Sequence, residues 1–143
     1  MTEIDVNSWD RAVIDDLRAH GGVVTEGPLI GDPLLIMTST GARSGRPRVA
    51  VLTFSRDDGD YVVAATAGGS PIDPGWRHNV EANPDVTVEA EGRTFEARAS
   101  IARGAERDRL WDRHVEVLPK FAAYPEQTGR VIPMIRITPT SQG

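Results

Sequence analysis

Short apolar segments separated by turn signals constrain the fold of this chain more than any other feature of its sequence. Residues 34–38 form a continuous apolar run, which predicts a buried strand. Asp58-Gly59 is a hairpin-turn signal, and Glu91-Gly92 separates two alternating segments in the same way. The pattern predicts six strands, at residues 34–38, 47–54, 61–66, 86–88, 95–101 and 132–137.

Three helices are predicted between and beside these strands. The first spans residues 1–22, with Ser8 as its N-cap and Gly21-Gly22 as its end. A short helix over 76–82 stops at Asn83-Pro84, and residues 104–118 have helical apolar spacing. Most strands are adjacent in the sequence and joined by tight turns. We therefore expect an α+β, mainly β, fold in which about six mostly antiparallel strands close into a small barrel with flanking helices.

Composition narrows the classes of function. The 143 residues fit a single domain over 1–143, with helix 1–22 packing on or covering the barrel. The formal net charge of −5 argues against a nucleic-acid-binding protein. Cysteine is absent, which excludes disulfides, thiolate metal ligands and a cysteine nucleophile. No apolar stretch approaches 18 residues and the N-terminus is acidic, so we expect no integral membrane segment and a cytoplasmic protein.

The basic residues are unevenly distributed. Arg43, Arg46 and Arg48 lie within six residues, interleaved with glycines and Ser44, and Lys120 is the one lysine in the chain. Backbone N–H groups and fork-shaped guanidinium donors together suit a phosphate or carboxylate ligand. The alternative is a solvated turn whose arginines pair with surface acids. The segment is not a P-loop, because it lacks the Gly-Lys-Ser/Thr ending.

A second segment, residues 68–79, also suits a ligand. Gly68-Gly69 permits a close approach, and Trp76 lies where a short helix with free N–H groups begins. The alternative is a proline-rich surface loop in which Trp76 anchors the core. The three histidines have no metal-ligand spacing, and no Gly-x-Ser-x-Gly elbow is present. With no metal site, nucleophile or thiol predicted, a bound organic cofactor would have to supply the chemistry if the protein is an enzyme.

Residues 40–48, Thr-Gly-Ala-Arg-Ser-Gly-Arg-Pro-Arg, and residues 74–79, Pro-Gly-Trp-Arg-His-Asn, strongly resemble the deazaflavin (F420)-dependent nitroreductase family. The resemblance covers roughly residues 28–138. It implies a split β-barrel and reduced F420 as hydride donor to small electron-poor substrates: quinones, α,β-unsaturated lactones or enones, and nitro compounds. Members are common in actinobacteria, in the cytoplasm or at the inner membrane face. Split barrels commonly form homodimers.

The resemblance also implies site residues. Arg43, Ser44 and Arg48 would hold the phosphate and acidic tail of the cofactor. The full set expected to bind the cofactor is Ala42, Arg43, Ser44, Arg48, Val49, Ala50, Val51, Leu52, Ala64, Ala65, Thr66, Ala67, Gly75, Trp76, Arg77, His78 and Asn79. The set expected to bind the substrate is Thr53, Leu118, Phe121 and Tyr124. Solvent or Tyr124 would supply the proton.

Two departures from the family pattern bear on the substrate. Ala67 stands where several members have a lysine, and Phe121 stands where nitroreductase-type members have a tyrosine. Because a phenyl ring cannot donate a proton, quinone or enone reduction is favoured over nitro reduction. Two alternatives stay open at this point: a split-barrel oxidoreductase that uses FMN, and a non-catalytic protein that carries or sequesters F420.

Overall fold

The computed structural model describes residues 8–25, 31–65, 75–125, 129 and 131–140. The elements are helix α1 (Ser8–Ala19), strands β1 (Leu34–Thr40), β2 (Pro47–Asp57) and β3 (Asp60–Ala64), helix α2 (Gly75–Ala82), strands β4 (Asp85–Ala90) and β5 (Arg93–Ile101), helix α3 (Gly104–Val117), a 3₁₀ segment (Pro119–Ala123) and strand β6 (Met134–Pro139). This order confirms the predicted succession of helices and strands. The 3₁₀ segment was not predicted.

The six strands form a closed antiparallel barrel in the order β1-β2-β3-β6-β5-β4, which confirms the predicted fold class. Two hairpin turns have left-handed backbone at both central positions: Asp58 and Gly59 at φ 51° and 86°, and Glu91 and Gly92 at φ 54° and 78°. That conformation matches the twist of the flanking strands. Both turns lie at one end of the barrel, which we call the hairpin end.

The inner faces of the strands fill the barrel with alternate residues of each strand. On β1 these are Leu35 and Met37, and on β3 they are Tyr61 and Val63. The outer faces bear the helices. Ile14 and Leu17 of α1 pack on Leu34 and Ile36 of β1. Leu110 of α3 packs with Phe121 of the 3₁₀ segment on the outer side of β3 and β6. Burial of these stripes holds both helices against the sheet.

Helix α2 covers the end of the barrel opposite the two hairpin turns. Its Val80 is 2% exposed and belongs to the interior cluster, with Trp76 packed against the same cluster. The helix lies next to β1 and β5. The loop between β1 and β2, residues 41–46, emerges at this same end, so the fold brings the two segments singled out in the sequence together.

Strand β2 has two differently paired halves. It pairs with β1 from Pro47 to Thr53, whereas its pairing with β3 covers only Phe54 to Asp57. In the described part of the chain, the edge of residues 47–53 that faces away from β1 has no partner strand. The barrel is split along this edge, and we call residues 47–53 the open half of β2.

Candidate functional site

The arginine loop, residues 41–46, is held by three hydrogen bonds of its own. The Gly41 N–H donates to the Arg46 carbonyl at 2.8 Å, and the Gly45 N–H donates to the Gly41 carbonyl at 3.0 Å. The Arg46 N–H donates to Ser44 Oγ at 3.1 Å. Gly45 has φ 70°, a conformation that glycine adopts without strain. The loop therefore has a defined shape set by its own glycine and serine residues.

Gly41 is required by close packing. A Cβ at this position would lie 2.6 Å from Ser44 Oγ, 3.3 Å from the Arg46 carbonyl oxygen and 3.6 Å from Arg48 Nε. The first of these separations is shorter than side-chain contacts allow, so a larger residue would force Ser44 Oγ, which accepts the Arg46 N–H, to move. The half-buried Arg48 side chain lies against the same glycine.

The loop contains cations without acidic neighbours. Arg43 and Arg46 are exposed, and neither has an ion-pair partner among the described residues. Other arginines contrast with them. Arg18 binds Glu89, and Arg109 binds Asp57, each with a shortest N–O distance of 2.8 Å. Within the described residues, Arg43 and Arg46 therefore lack the acidic partners that the alternative of a solvated turn requires.

Helix α2 is bonded directly to the arginine loop. Asn79 Oδ1 accepts a hydrogen bond from the Ala42 N–H at 3.0 Å, and Asn83 Nδ2 lies 3.5 Å from the Thr40 carbonyl. Asn79 was expected to contact the cofactor, and neither of these two hydrogen bonds was predicted from the sequence. Their partners lie 37 and 43 residues apart, beyond the reach of local motifs.

The other residues of α2 differ in their surroundings. Trp76 is half-buried against the interior cluster, as the core-anchor alternative described. Arg77 forms an ion pair with Glu81 one turn later, with an N–O distance of 3.3 Å, and Gly75 and His78 are exposed. The cofactor roles of Gly75, Trp76, Arg77, His78 and Asn79 stay predictions.

The open half of β2 presents backbone donors and acceptors along its free edge. The Gly41 N–H donates to the Arg46 carbonyl and the Phe54 N–H donates to the Pro33 carbonyl at 2.9 Å, so even-numbered residues of β2 bond to β1. The N–H and C=O groups of Val49, Val51 and Thr53 consequently point toward the split. Residues 47–53 are all half-buried, and Val49 and Val51 pack their side chains toward α1.

The end of β3 lies on the other side of the split. Ala64 and Ala65 are 7% and 0% exposed, and the Ala65 N–H donates to the Pro133 carbonyl at 3.0 Å. Ala64 is on the outer face of β3, and Ala65 belongs to the interior cluster. Thr66 and Ala67, with residues 68–74, lie outside the described residues, so their expected roles stay predictions.

The residues expected to bind substrate pack on the outer side of β3 and β6. Leu118 and Phe121 are 7% and 6% exposed, within one cluster. The half-buried Tyr124 packs against Phe121, with ring centroids 5.2 Å apart. Thr53 is half-buried at the end of the open half of β2. Leu118 and Phe121 thus serve the core, and the substrate role of all four residues stays a prediction.

A buried histidine lies beside this aromatic group. The His114 side chain is 0% exposed, shares a 2.7 Å hydrogen bond with Ser55 Oγ through Nδ1, and packs edge-on to Phe121 with centroids 4.6 Å apart. Its Nε2 has no hydrogen-bond partner within the described residues. Burial lowers the pKa of His114 to about 4, so the ring is neutral at neutral pH. Sequence reasoning gave His114 no role beyond its place on the apolar stripe of a helix.

The described residues contain no group of three or more histidine or acidic side chains arranged to hold a metal ion. In the portion of the chain that the structure describes, every helix is too short or too polar to span a bilayer.

Comparison with known proteins gives three concordant matches. A family model described as F420H(2)-dependent quinone reductase matches residues 9–139. An F420H(2)-dependent quinone reductase of Mycobacterium tuberculosis is 36% identical over 147 aligned positions, which cover 94% of this chain and 99% of that protein. The solved structure of an F420-H2 dependent reductase, FDR-A, has 36% sequence identity and a TM-score of 0.67, covering 73% of this chain and 93% of its own.

A further solved structure, described as a domain-swapped dimer, is 32% identical with a TM-score of 0.68. It covers 92% of this chain and 99% of its own.

Proposed function

The chain belongs to the F420H(2)-dependent quinone reductase family, and from this premise we propose that it transfers hydride from reduced F420 to small quinones and enones. It is an oxidoreductase with coenzyme F420 as its cofactor. The observation that carries the proposed site is the arginine loop, a rigid turn whose Arg43 and Arg46 have no acidic partner among the described residues.

The loop fits the anionic part of the cofactor. Arg43, Arg46 and Arg48 bring three positive charges within six residues, on a turn already closed by its own hydrogen bonds. Guanidinium groups bind phosphate and carboxylate through paired N–H donors. Since Arg43 and Arg46 are exposed, an anion can reach them without breaking an ion pair within the described residues.

The open half of β2 fits the planar deazaflavin ring of the cofactor. Val49, Val51 and Thr53 offer backbone N–H and C=O groups along an edge with no described partner strand. A deazaflavin ring has an edge of alternating donors and acceptors, which a free strand edge can bind as another strand would. Ala64 and Ala65 flank the split with small side chains, which leave room for a flat ring.

Bound F420H2 supplies a hydride, and the chain's own groups position both reactants. Fixed backbone amides at the split hold the ring in one orientation, which lowers the entropic barrier to transfer. Phe121 has no proton to give and is buried, which leaves Tyr124 or solvent as the proton source. This favours quinones and enones, whose reduced oxygens can be protonated by water.

The decisive experiment is titration of the purified protein with F420, followed by assays of F420H2 oxidation. We expect micromolar or tighter binding, and turnover with menadione and with cyclohexenone that exceeds turnover with a nitroimidazole. Absence of F420 binding at micromolar concentration would overturn the proposal. Binding without turnover would leave only a carrier role, and a bound yellow flavin after purification would indicate FMN.

We also propose that the chain forms a homodimer. The proposal is supported by its likeness to a structure described as a domain-swapped dimer. Sedimentation equilibrium over a hundredfold concentration range should give twice the monomer mass of 15.5 kDa. A constant monomer mass would contradict it.

A further inference from the structure

The structure assigns Asn79 a positioning role that rests on the proposed function: we infer that it fixes the arginine loop for the cofactor's acidic tail and does not itself recognise the ring. Asn79 Oδ1 accepts the hydrogen bond from the Ala42 N–H at 3.0 Å. Ala42 is the residue immediately before Arg43, so this bond sets the direction in which the loop leaves β1.

The bond from Asn79 satisfies an N–H group of the loop that the loop's internal hydrogen bonds do not use. Those internal bonds join Gly41 to Arg46, Gly45 to Gly41 and Arg46 to Ser44, and none of them uses the Ala42 N–H. Without Asn79, the exposed Ala42 would have no acceptor for its N–H among the described residues. The loop would keep its internal shape but lose its attachment to α2 near the first arginine.

Helix α2 is a rigid support for this attachment. Val80, the residue after Asn79, is 2% exposed within the barrel interior, and Trp76, one turn earlier, packs on the same cluster. A side chain between two core anchors has little freedom to move. Asn79 thereby transmits the position of the barrel core to a loop that is otherwise exposed, which reduces the ordering cost of binding an anion.

A positioning role for Asn79 predicts different effects on the two parts of the cofactor, its acidic tail and its ring. Loss of Asn79 should weaken binding of the tail, which the loop would hold, and spare binding of the ring, which the open half of β2 would hold. A residue in direct contact with the ring would do the reverse, and a residue needed only for folding would affect both.

The test compares two probes on Asn79→Ala and the native chain by fluorescence titration: F420, and a deazaflavin that ends at its ribityl alcohol without phosphate or acidic tail. We expect the Kd for F420 to rise roughly five- to tenfold and the Kd for the tail-less probe to stay within about twofold. Unchanged F420 affinity, or an equal loss for both probes, would overturn the inference. Failure of the native chain to bind F420 would instead overturn the proposed function.

Two further measurements do not depend on that variant. In Asn79→Asp the side chain still accepts from the Ala42 N–H, so amide hydrogen exchange at Ala42, followed by NMR, should stay slow. In the native chain the Ala42 amide should exchange at least about tenfold more slowly than that of Arg43, for which the described residues offer no acceptor. Equal exchange at Ala42 and Arg43 in the native chain would refute the positioning bond even if Asn79→Ala does not fold.

Discussion

The two halves of β2 belong to one continuous strand but differ in their partner strands and in the contacts of their polar side chains. From Phe54 to Asp57 the strand pairs with β3, and each polar side chain has a partner: Ser55 with His114, Arg56 with Glu91, and Asp57 with Arg109 and Arg136. We call this stretch the locked half. The open half, residues 47–53, pairs with β1 and continues from a loop in which Arg43 and Arg46 have no ion-pair partner among the described residues.

The difference shows how one strand can serve stability and binding at once. In the locked half, every charge is used inside the protein, so a ligand would have to compete with existing ion pairs. In the open half, the backbone edge away from β1 has no partner strand among the described residues. The polar cross-links of β2 thus lie toward the hairpin end, and the cofactor site that we propose lies toward the opposite end.

Acidification should have the largest effect, and it acts on the locked half. The folded protein keeps His114 neutral with a pKa near 4, whereas an unfolded histidine titrates near 6.5. The unfolded state therefore binds more protons between these values, and the free energy of unfolding should fall by about 3 kcal/mol from pH 7 to pH 4 on this account. Urea unfolding at stepped pH measures the slope.

The variant that tests this effect is His114→Gln. It should flatten the slope between pH 6.5 and 4, because it removes the buried imidazole that only the unfolded state protonates in this range. Asp57 does not confuse the result. Arg109 and Arg136 hold its pKa at about 2, so its contribution is lost only below the ordinary carboxyl value of 3.8. An unaltered slope in His114→Gln would remove the buried histidine from the explanation.

Two arginines on β2 test the comparison most directly. Arg48→Ala should weaken F420 binding about ten- to a hundredfold, because one charge-assisted contact contributes roughly 1.5–3 kcal/mol. Arg56→Ala should leave the Kd unchanged and lower the free energy of unfolding by about 1 kcal/mol. It removes a 2.8 Å ion pair with Glu91 and the stacking of the guanidinium 4.0 Å from the centre of the Tyr61 ring.

Isothermal titration and urea unfolding on both proteins provide the measurements. If Arg56→Ala weakened F420 binding as much as Arg48→Ala, the separation of the two halves would be wrong.

A smaller loss of affinity should follow from Gly41→Ala. The new methyl group would lie 2.6 Å from Ser44 Oγ and displace the arginine loop, raising the Kd for F420 about tenfold, the equivalent of one hydrogen bond to a charged group. Gly59→Ala at the hairpin end is the control, since it strains a backbone at φ 86° with open space around it. That variant should lose stability and keep its affinity.

The smallest effect is expected for Tyr61→Phe on β3, opposite Arg56 of the locked half. The fully buried Tyr61 donates its hydroxyl to Glu91 Oε1 at 2.5 Å, and burial is the main reason that its pKa is raised. Removal of the hydroxyl should reduce the free energy of unfolding by about 1 kcal/mol, without a change in F420 affinity. Glu91→Gln keeps an acceptor and should cost less. A larger loss from Glu91→Gln would show that the carboxylate charge matters more than the Tyr61 hydrogen bond.

Local sequence patterns predicted most of the secondary structure and the fold class. The runs of alternating and continuous apolar residues located all six strands, and Asp58-Gly59 and Glu91-Gly92 located two hairpins with positive φ. The arginine loop was visible because its three cations are adjacent in the chain. Strand ends were less well predicted: β6 begins at Met134, two residues after the predicted start, since Ile132 is buried outside the sheet.

Long-range contacts were not visible in the sequence. No local sequence pattern predicts that β1 pairs with β4 or that β3 pairs with β6, although these pairings close the barrel. The bond from Ala42 to Asn79 and the bond between Ser55 and His114 join residues 37 and 59 positions apart. Such contacts depend on the whole fold, which is why Asn79 was expected at the cofactor and His114 was assigned no role beyond the core.

The closure of the barrel also determines how the chain reaches this state. Four of the six strand pairs join consecutive strands, but β1–β4 and β3–β6 require residues about fifty to seventy-five positions apart to meet. Ordering of that much intervening chain precedes any gain from the pairing, which places the protein with slow-folding β topologies on the millisecond-to-second scale. Because Asn79 can reach Ala42 only when α2 lies on the barrel, we expect the arginine loop to acquire its final position after α2 has docked.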